Sequence, residues 1–293
     1  MEVIIENSKL KIMTNTHGGE IHSIYGKKSE QEYLWKGVPF WWKIYCPTLF
    51  PIIGKVKGFG YTYDNNKFFM PEHGFASRAR HILLKKTDNE VEFELTNNEE
   101  TEKIYPFKFS LITKYTLDDN KIIISFKIRN LDNKDMYFSI GSHPAFKCPM
   151  YGEKDKLSDY YISFEHTENA SKEEINKNDF LTGNKISYLK NTDTIKVSEE
   201  TFKKGTIILN ELKSKYIILK SKKHNRSIKV NFEKFKTLSI WAPDRDTNFI
   251  CLEPWMGHAD YEDFKGDISE KQDMIKLKAE DEYNIKYSIE INE

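Results

Sequence analysis

Apolar and polar residues alternate along much of this chain. Val91-Glu92-Phe93-Glu94-Leu95 is the plainest run. A period of two puts successive side chains on opposite faces of a strand, so such a run predicts a strand with one buried face. The same reasoning predicts two short strands within 3–13, around Asn7-Ser8, and strands at 21–25, 109–117, 121–128, 206–210, 216–220, 227–232, 237–241 and 285–291. Met136-Tyr137-Phe138-Ser139-Ile140 and Phe249-Ile250-Cys251-Leu252 are further strand-like runs, each ending in a break. Gly18-Gly19, Asp118-Asp119-Asn120, the 130–135 stretch and Pro243-Asp244-Arg245-Asp246 carry turn chemistry. The 151–200 stretch is polar and weakly patterned, and predicts a decorated loop region with minor strands; 268–270 predicts the start of a polar loop. No long apolar period of 3.6 occurs, and neither a repeat nor a linker divides the chain. The expectation is one all-β domain over 1–293, built from many antiparallel strands.

Composition narrows the function. Lys and Arg number 45 and so do Asp and Glu, giving a formal net charge of zero, which lacks the basic footprint of a nucleic-acid binder. No apolar run approaches the ~20 residues of a membrane span, and the start has no secretory leader pattern. Three cysteines, Cys46, Cys148 and Cys251, are too few and odd in number for a disulfide framework, and predict free buried thiols in a cytoplasmic protein.

Four stretches carry chemistry. Trp35, Phe40, Trp41 and Trp42 form an aromatic patch suited to a core or a cleft wall. Gly54, Gly58 and Gly60 surround Lys55 and Lys57 without the Gly-Lys-Ser/Thr of a phosphate loop, so an irregular loop carrying Lys55 toward a site is expected. His73 sits between Pro71 and Gly74. Gly141 and Ser142 lead to His143 at a strand end, with Ser139, Gly141 and His143 on one face. Glu253 ends a largely buried strand and shares a face with Cys251; there a carboxylate is costly unless partnered. Trp255 follows it, a flat apolar surface beside an acid, which suits a sugar.

Taken in order, Pro47-Thr48-Leu49-Phe50-Pro51-Ile52-Ile53-Gly54-Lys55, His73-Gly74-Phe75-Ala76, Gly141-Ser142-His143-Pro144-Ala145-Phe146 and Cys251-Leu252-Glu253-Pro254-Trp255 resemble the aldose 1-epimerase (galactose mutarotase-like) family, in its LacX-like branch. The resemblance spans nearly the whole chain. It implies a large antiparallel β-sandwich, the supersandwich of that family, with a sugar-binding cleft across one sheet. It implies Glu253 as general base, His143 as general acid and His73 as a second, orienting histidine. Lys55, Trp255, Phe146 and Arg78 complete the expected substrate-binding set. Lys55 stands where the family usually has arginine, and Gly205 where many relatives carry an aspartate that contacts sugar hydroxyls. The implied partner is a hexose; no cofactor, metal, nucleic acid or membrane is implied, and the chain is expected as a monomer or homodimer.

The residue types fit anomer interconversion on chemical grounds. A base takes the proton of the C1 hydroxyl while an acid protonates the ring oxygen. The ring opens, C1 turns about C1–C2, and closure on the other face reverses the roles. Histidine, and a half-buried Glu with a raised pKa, suit such transfers near neutral pH. The expected productive state has Glu253 ionised and His143 protonated. Three other readings compete. His73, His143 and Glu253 could form a zinc hydrolase set, joined by Cys148 or Cys251, although no His-Glu-x-x-His pair supports it. A non-catalytic sugar-binding protein fits the changes at Lys55 and Gly205. A hexose 6-phosphate epimerase would need cations at the cleft edge, for which Arg78, Arg80 and Arg245 are candidates.

Overall fold

The computed structural model describes residues 1–38, 42–150, 155–203, 205–243 and 248–293. Phe40 and Trp41 of the aromatic patch, Arg245, and most of the turn expected around it lie outside the described residues. Within them the architecture is all-β, a large antiparallel β-sandwich. A four-stranded sheet joins Glu2–Glu6, Leu10–Asn15, Glu20–Gly26 and Gln31–Glu32. A fifteen-stranded sheet runs, across its width, from Thr48–Leu49 through Ile140–Ser142, Phe249–Met256, Thr237–Trp241, Ile207–Asn210 and Tyr160–Ile175. It continues through Tyr216–Ser221, Ser227–Asn231, Glu282–Asn292, Lys121–Asn130, Phe109–Asp118 and Glu90–Thr96 to Ile82–Lys86. The pairings in both sheets are antiparallel. Among the described residues no helix is long and apolar enough to cross a membrane.

Alternation explains the core. In Glu90–Thr96, Val91, Phe93 and Leu95 point inward and the glutamates outward. The inward rows of both sheets, such as Ile5, Ile12 and Ile24 on one side and Phe126, Ile250 and Leu252 on the other, belong to one apolar cluster. The two sheets thus share one apolar core.

The main departure from expectation lies at 151–200. Where described, this stretch holds two sixteen-residue strands, Tyr160–Ile175 and Leu181–Lys196, joined as a hairpin. Their pattern is weak for two reasons. Leu181–Lys196 pairs with its hairpin partner and, through Leu181 alone, with Tyr261, and it is mostly exposed on both faces. Several register shifts between the two strands also break the period of two. The strands at Gly60–Tyr63, Asn66–Phe69 and Ile82–Lys86 were likewise not signalled; two of them bury almost nothing. Ile268–Glu270 is a short 3₁₀ turn capped by Asp267.

Candidate active site

Phe249–Met256 is buried on both faces and hydrogen-bonded on both sides. Ile250 and Leu252 join the main core, while Phe249, Cys251, Glu253 and Trp255 line the other face. Register then decides the neighbours. Ser239 stands opposite Glu253, Trp241 opposite Cys251, and Gly141 opposite Trp255. A Cβ on Gly141 would sit 2.9 Å from Cδ1 of Trp255 and 3.0 Å from Ile53, so the missing side chain makes room for the indole.

The break after Ile140–Ser142 delivers the first histidine. The His143 N–H donates to the Pro47 carbonyl at 3.0 Å, and the Leu252 N–H donates to the Pro144 carbonyl at 3.3 Å, which holds the turn against the central strand. Nε2 of His143 lies 3.2 Å from Oε2 of Glu253. The imidazole is walled by Trp42 (ring centroids 4.8 Å apart), Trp241 (5.8 Å) and His73 (5.5 Å).

His73 has a left-handed backbone, φ 61°, fixed by a reciprocal pair of bonds. Its N–H donates to the Gly54 carbonyl at 2.9 Å, and the Gly54 N–H donates to Nδ1 of His73 at 3.1 Å. An acceptor Nδ1 puts the proton of the neutral ring on Nε2, which makes that atom a donor. Burial, helped by the Arg78 and Lys55 cations, pulls the His73 pKa down to about 4, so the ring is neutral near pH 7.

These groups line a cleft of about 410 Å³, whose mouth carries Lys55, Glu72, Arg78 and Asp179. Lys55 is ion-paired with Asp179. Asp179 sits in the turn of the hairpin, so the stretch expected as decoration reaches the cleft. Arg78 is exposed and donates weakly to the Gly74 carbonyl at 3.4 Å.

Electrostatics set the centre apart. Glu253 is fully buried, and Ser239 Oγ donates to its Oε1 at the long distance of 3.4 Å. Burial pushes its carboxyl well above the usual range, against the opposing pull of Ser239 and Trp255. Burial pulls the His143 imidazole well below its usual range, and His73 adds to the effect. Seven buried side-chain polar atoms lack a hydrogen-bond partner among the described residues. Three of them, His143 Nδ1, Glu253 Oε2 and Trp255 Nε1, meet here. Unspent donors and acceptors in a cleft are what a polyhydroxylated ligand would satisfy.

The family model for aldose 1-epimerase matches residues 1–276. The LacX protein of Lactococcus lactis subsp. lactis (chromosomal form) is 32% identical over 268 residues, 88% of each chain. The chain belongs to the aldose 1-epimerase family. Its fold also matches a solved galactose mutarotase related enzyme from Lactobacillus acidophilus, with TM-score 0.96 and 29% identity over 100% of this chain and 98% of that one. A galactose mutarotase-like protein from Lactobacillus casei follows, with TM-score 0.94 and 28% identity over the full length of both.

In this aldose 1-epimerase family member, Glu253, His143, His73, Lys55, Trp255 and Arg78 all reach one cleft. Phe146 does not. In Ala145–Lys147 it stands opposite Ile250 and is fully buried in the main core, whereas Ala145 takes the Cys251 side. An aromatic residue three positions after a site histidine falls on the wrong face of the next strand. Arg80 is exposed and absent from the cleft lining, and its backbone bridges His17. The zinc set splits: His73 spends Nδ1 on Gly54, and Cys148 is buried elsewhere, with its N–H on Asn248. Cys251 does reach Glu253 and His143. Gly205 adjoins the cleft residue Thr206 but offers no side chain; Glu72 and Asp179 are the mouth's carboxylates. Sequence reasoning missed Glu72, Ser239, Trp241 and Asp179. Only Glu72 had a local signal, its place next to His73.

Proposed function

We propose that the chain is an aldose 1-epimerase in activity as well as in family, interconverting the α and β anomers of an unphosphorylated hexose. The observation that carries this reading is the contact between Glu253 and His143, 3.2 Å apart in a buried setting with spare acceptor and donor atoms. In a cyclic sugar the hydroxyl oxygen and the ring oxygen sit on the same carbon. A base and an acid that are close neighbours can therefore serve both oxygens at once. Glycosidases instead hold their two carboxyl groups about 5–9.5 Å apart across a bond.

The proton count also fits. Burial favours the neutral pair, a protonated Glu253 beside a neutral His143. The ion pair, with Glu253 as base and His143 as acid, holds the same single proton one transfer away. Ring opening turns the ion pair into the neutral pair, and ring closure turns it back. The burial that destabilises the ionised start thus helps drive the forward proton transfers. Neutral His73 donates from Nε2 to a hydroxyl, Trp255 and Trp241 offer apolar faces, and Lys55 with Asp179 holds hydroxyls at the mouth.

Charge at the mouth favours a neutral sugar over a phosphorylated one. Glu72 and Asp179 offset Arg78 and Lys55, and the Lys55 ammonium is already paired. A phosphate dianion would meet two carboxylates there.

The test follows optical rotation after dissolving crystalline α-D-glucose or α-D-galactose, with wild type and with Glu253→Gln. Acceleration by wild type and its loss in the variant are expected. A chain that binds sugars by calorimetry yet leaves the rotation rate untouched would be a binding protein on the same fold.

A further inference from the structure

The central strand sends a third side chain of metal-binding type to the catalytic pair. Cys251 precedes Glu253 by two residues on the same face, fully buried. Its Sγ, a ring nitrogen of His143 and a carboxylate oxygen of Glu253 all lie within 4.8 Å of one another. Among the described residues no other His, Cys, Asp or Glu trio gathers in this way. Glu253 Oε2 and His143 Nδ1 are both buried and have no hydrogen-bond partner.

We propose that Cys251, His143 and Glu253 bind a thiophilic divalent cation of the zinc class, and that this cation inhibits the enzyme by occupying the acid–base pair. The inhibitory half rests on the mutarotase reading above; the site itself does not.

Three arguments support the site. The first is ligand type. Sulfur, imidazole and carboxylate in one cluster suit zinc, whereas magnesium and calcium want oxygen shells. The second is geometry. Zinc takes sulfur at about 2.3 Å and nitrogen or oxygen at about 2.0–2.2 Å. The trio would need to draw in slightly, by side-chain rotation, and the fourth position would face the cleft, open to water or a sugar hydroxyl. The third is charge. A thiolate, a carboxylate and a neutral imidazole together balance a divalent cation, so the filled site carries no net charge into a buried setting. Binding expels the Cys251 thiol proton and the proton the pair shares. With that proton gone and both groups ligated, neither can serve the hemiacetal.

Co²⁺ tests this, because a cobalt–thiolate bond gives a sulfur-to-metal absorption band that nitrogen or oxygen ligands do not. Wild type, Cys251→Ala and Glu253→Gln would each be titrated with Co²⁺ and then with Zn²⁺, after a thermal melt confirms that each is folded. Wild type should develop the band, saturate at one equivalent and lose the band when Zn²⁺ displaces the cobalt. Cys251→Ala should show no band, and Glu253→Gln should bind about tenfold more weakly or worse. No band in wild type overturns the proposal. So does a band that survives Cys251→Ala, which would put the metal on Cys46 or Cys148, or undiminished affinity in Glu253→Gln. For inhibition, the anomerisation rate with and without saturating Zn²⁺ is compared within each protein. Wild type should lose most of its rate and regain it with EDTA, and the ratio in Cys251→Ala should stay near one. A zinc-saturated wild type that turns over at its metal-free rate overturns the inhibitory half. A chain that shows the band yet never anomerises refutes the mutarotase reading and leaves the site standing.

Discussion

Five acids are buried among the described residues, and three of them, Asp260, Glu168 and Glu253, show how differently such groups are treated. Asp260 takes the Lys271 ammonium on one oxygen at 2.7 Å and the Lys57 N–H on the other at 2.9 Å. Glu168 accepts from the Ser214 N–H and hydroxyl, both at 2.7 Å, and from the Lys213 N–H at 3.3 Å. Glu253 has one long bond from Ser239 and a histidine at 3.2 Å, with Oε2 otherwise unpaired. All three have left water, but only the first two have recovered what that costs. A structural acid is saturated with donors. An acid kept short of them stays basic enough to take a proton, and this shortfall, more than burial, separates the cleft from the rest of the molecule.

The sharpest way to break this comparison is to neutralise one acid of each kind without changing its shape. Glu253→Gln should cost about 10²–10⁴-fold in anomerisation rate, read by polarimetry. It should also melt higher than wild type. The raised pKa means that folded Glu253 keeps a proton which the unfolded chain gives up above pH 4.5, so its contribution to stability worsens as pH rises from there. The gain in melting temperature should therefore widen with pH above 4.5. Equal or lower melting at every pH would mean that Glu253 is a saturated structural acid after all.

Asp260→Asn should do the reverse. It strands the buried Lys271 ammonium, for a loss of about 3–5 kcal/mol in denaturant unfolding. Whatever folded protein remains should keep its acid–base pair and its pH profile.

The pH dependence of stability sharpens the picture at His73. Its folded pKa is lowered from 6.5 to about 4, so the unfolded chain takes up a proton first as pH falls. Stability should decline from pH 6.5 toward 4, and His73→Gln should flatten that decline; an unchanged slope would assign it to other groups. His143, lowered for the same reason, adds to the decline in both proteins.

The smallest effect belongs to the mouth. Asp179→Asn and Lys55→Ala break an ion pair with an exposed partner, worth about 0–1 kcal/mol to stability. Each should leave melting nearly unchanged and raise KM a few-fold with little effect on kcat. A large fall in kcat would mean that the pair positions the reacting carbon.

What could be read from the residues follows from where the information sits. Strands with one buried face declare themselves, as 91–95 and 121–128 do. Glu253 and His143 stood out because each follows an apolar run just before a proline, where a polar group needs a reason; the break expected at Pro254 is absent, and the strand runs on to Met256. The cleft walls were legible only in part: the aromatic patch suited a wall and Trp42 is one, but Trp42, Trp241 and Asp179 come from a loop, a strand and a hairpin turn far apart in the chain, and only the tertiary fold brings them to one cleft. The 160–196 hairpin was hidden by exposure on its outer strand. Phe146 misled because a one-residue step along a strand exchanges cleft for core.

The central position of Phe249–Met256 has a consequence for exchange with solvent. A strand paired on both sides and buried on both faces is the kind of segment whose amides exchange only when the whole fold opens. Local breathing therefore gives Glu253 no route to bulk water. Protons and deuterons must reach it through the cleft, and a sugar lying there would close that route. With such a ligand in place, the only proton at hand would be the one the Glu253–His143 pair already holds.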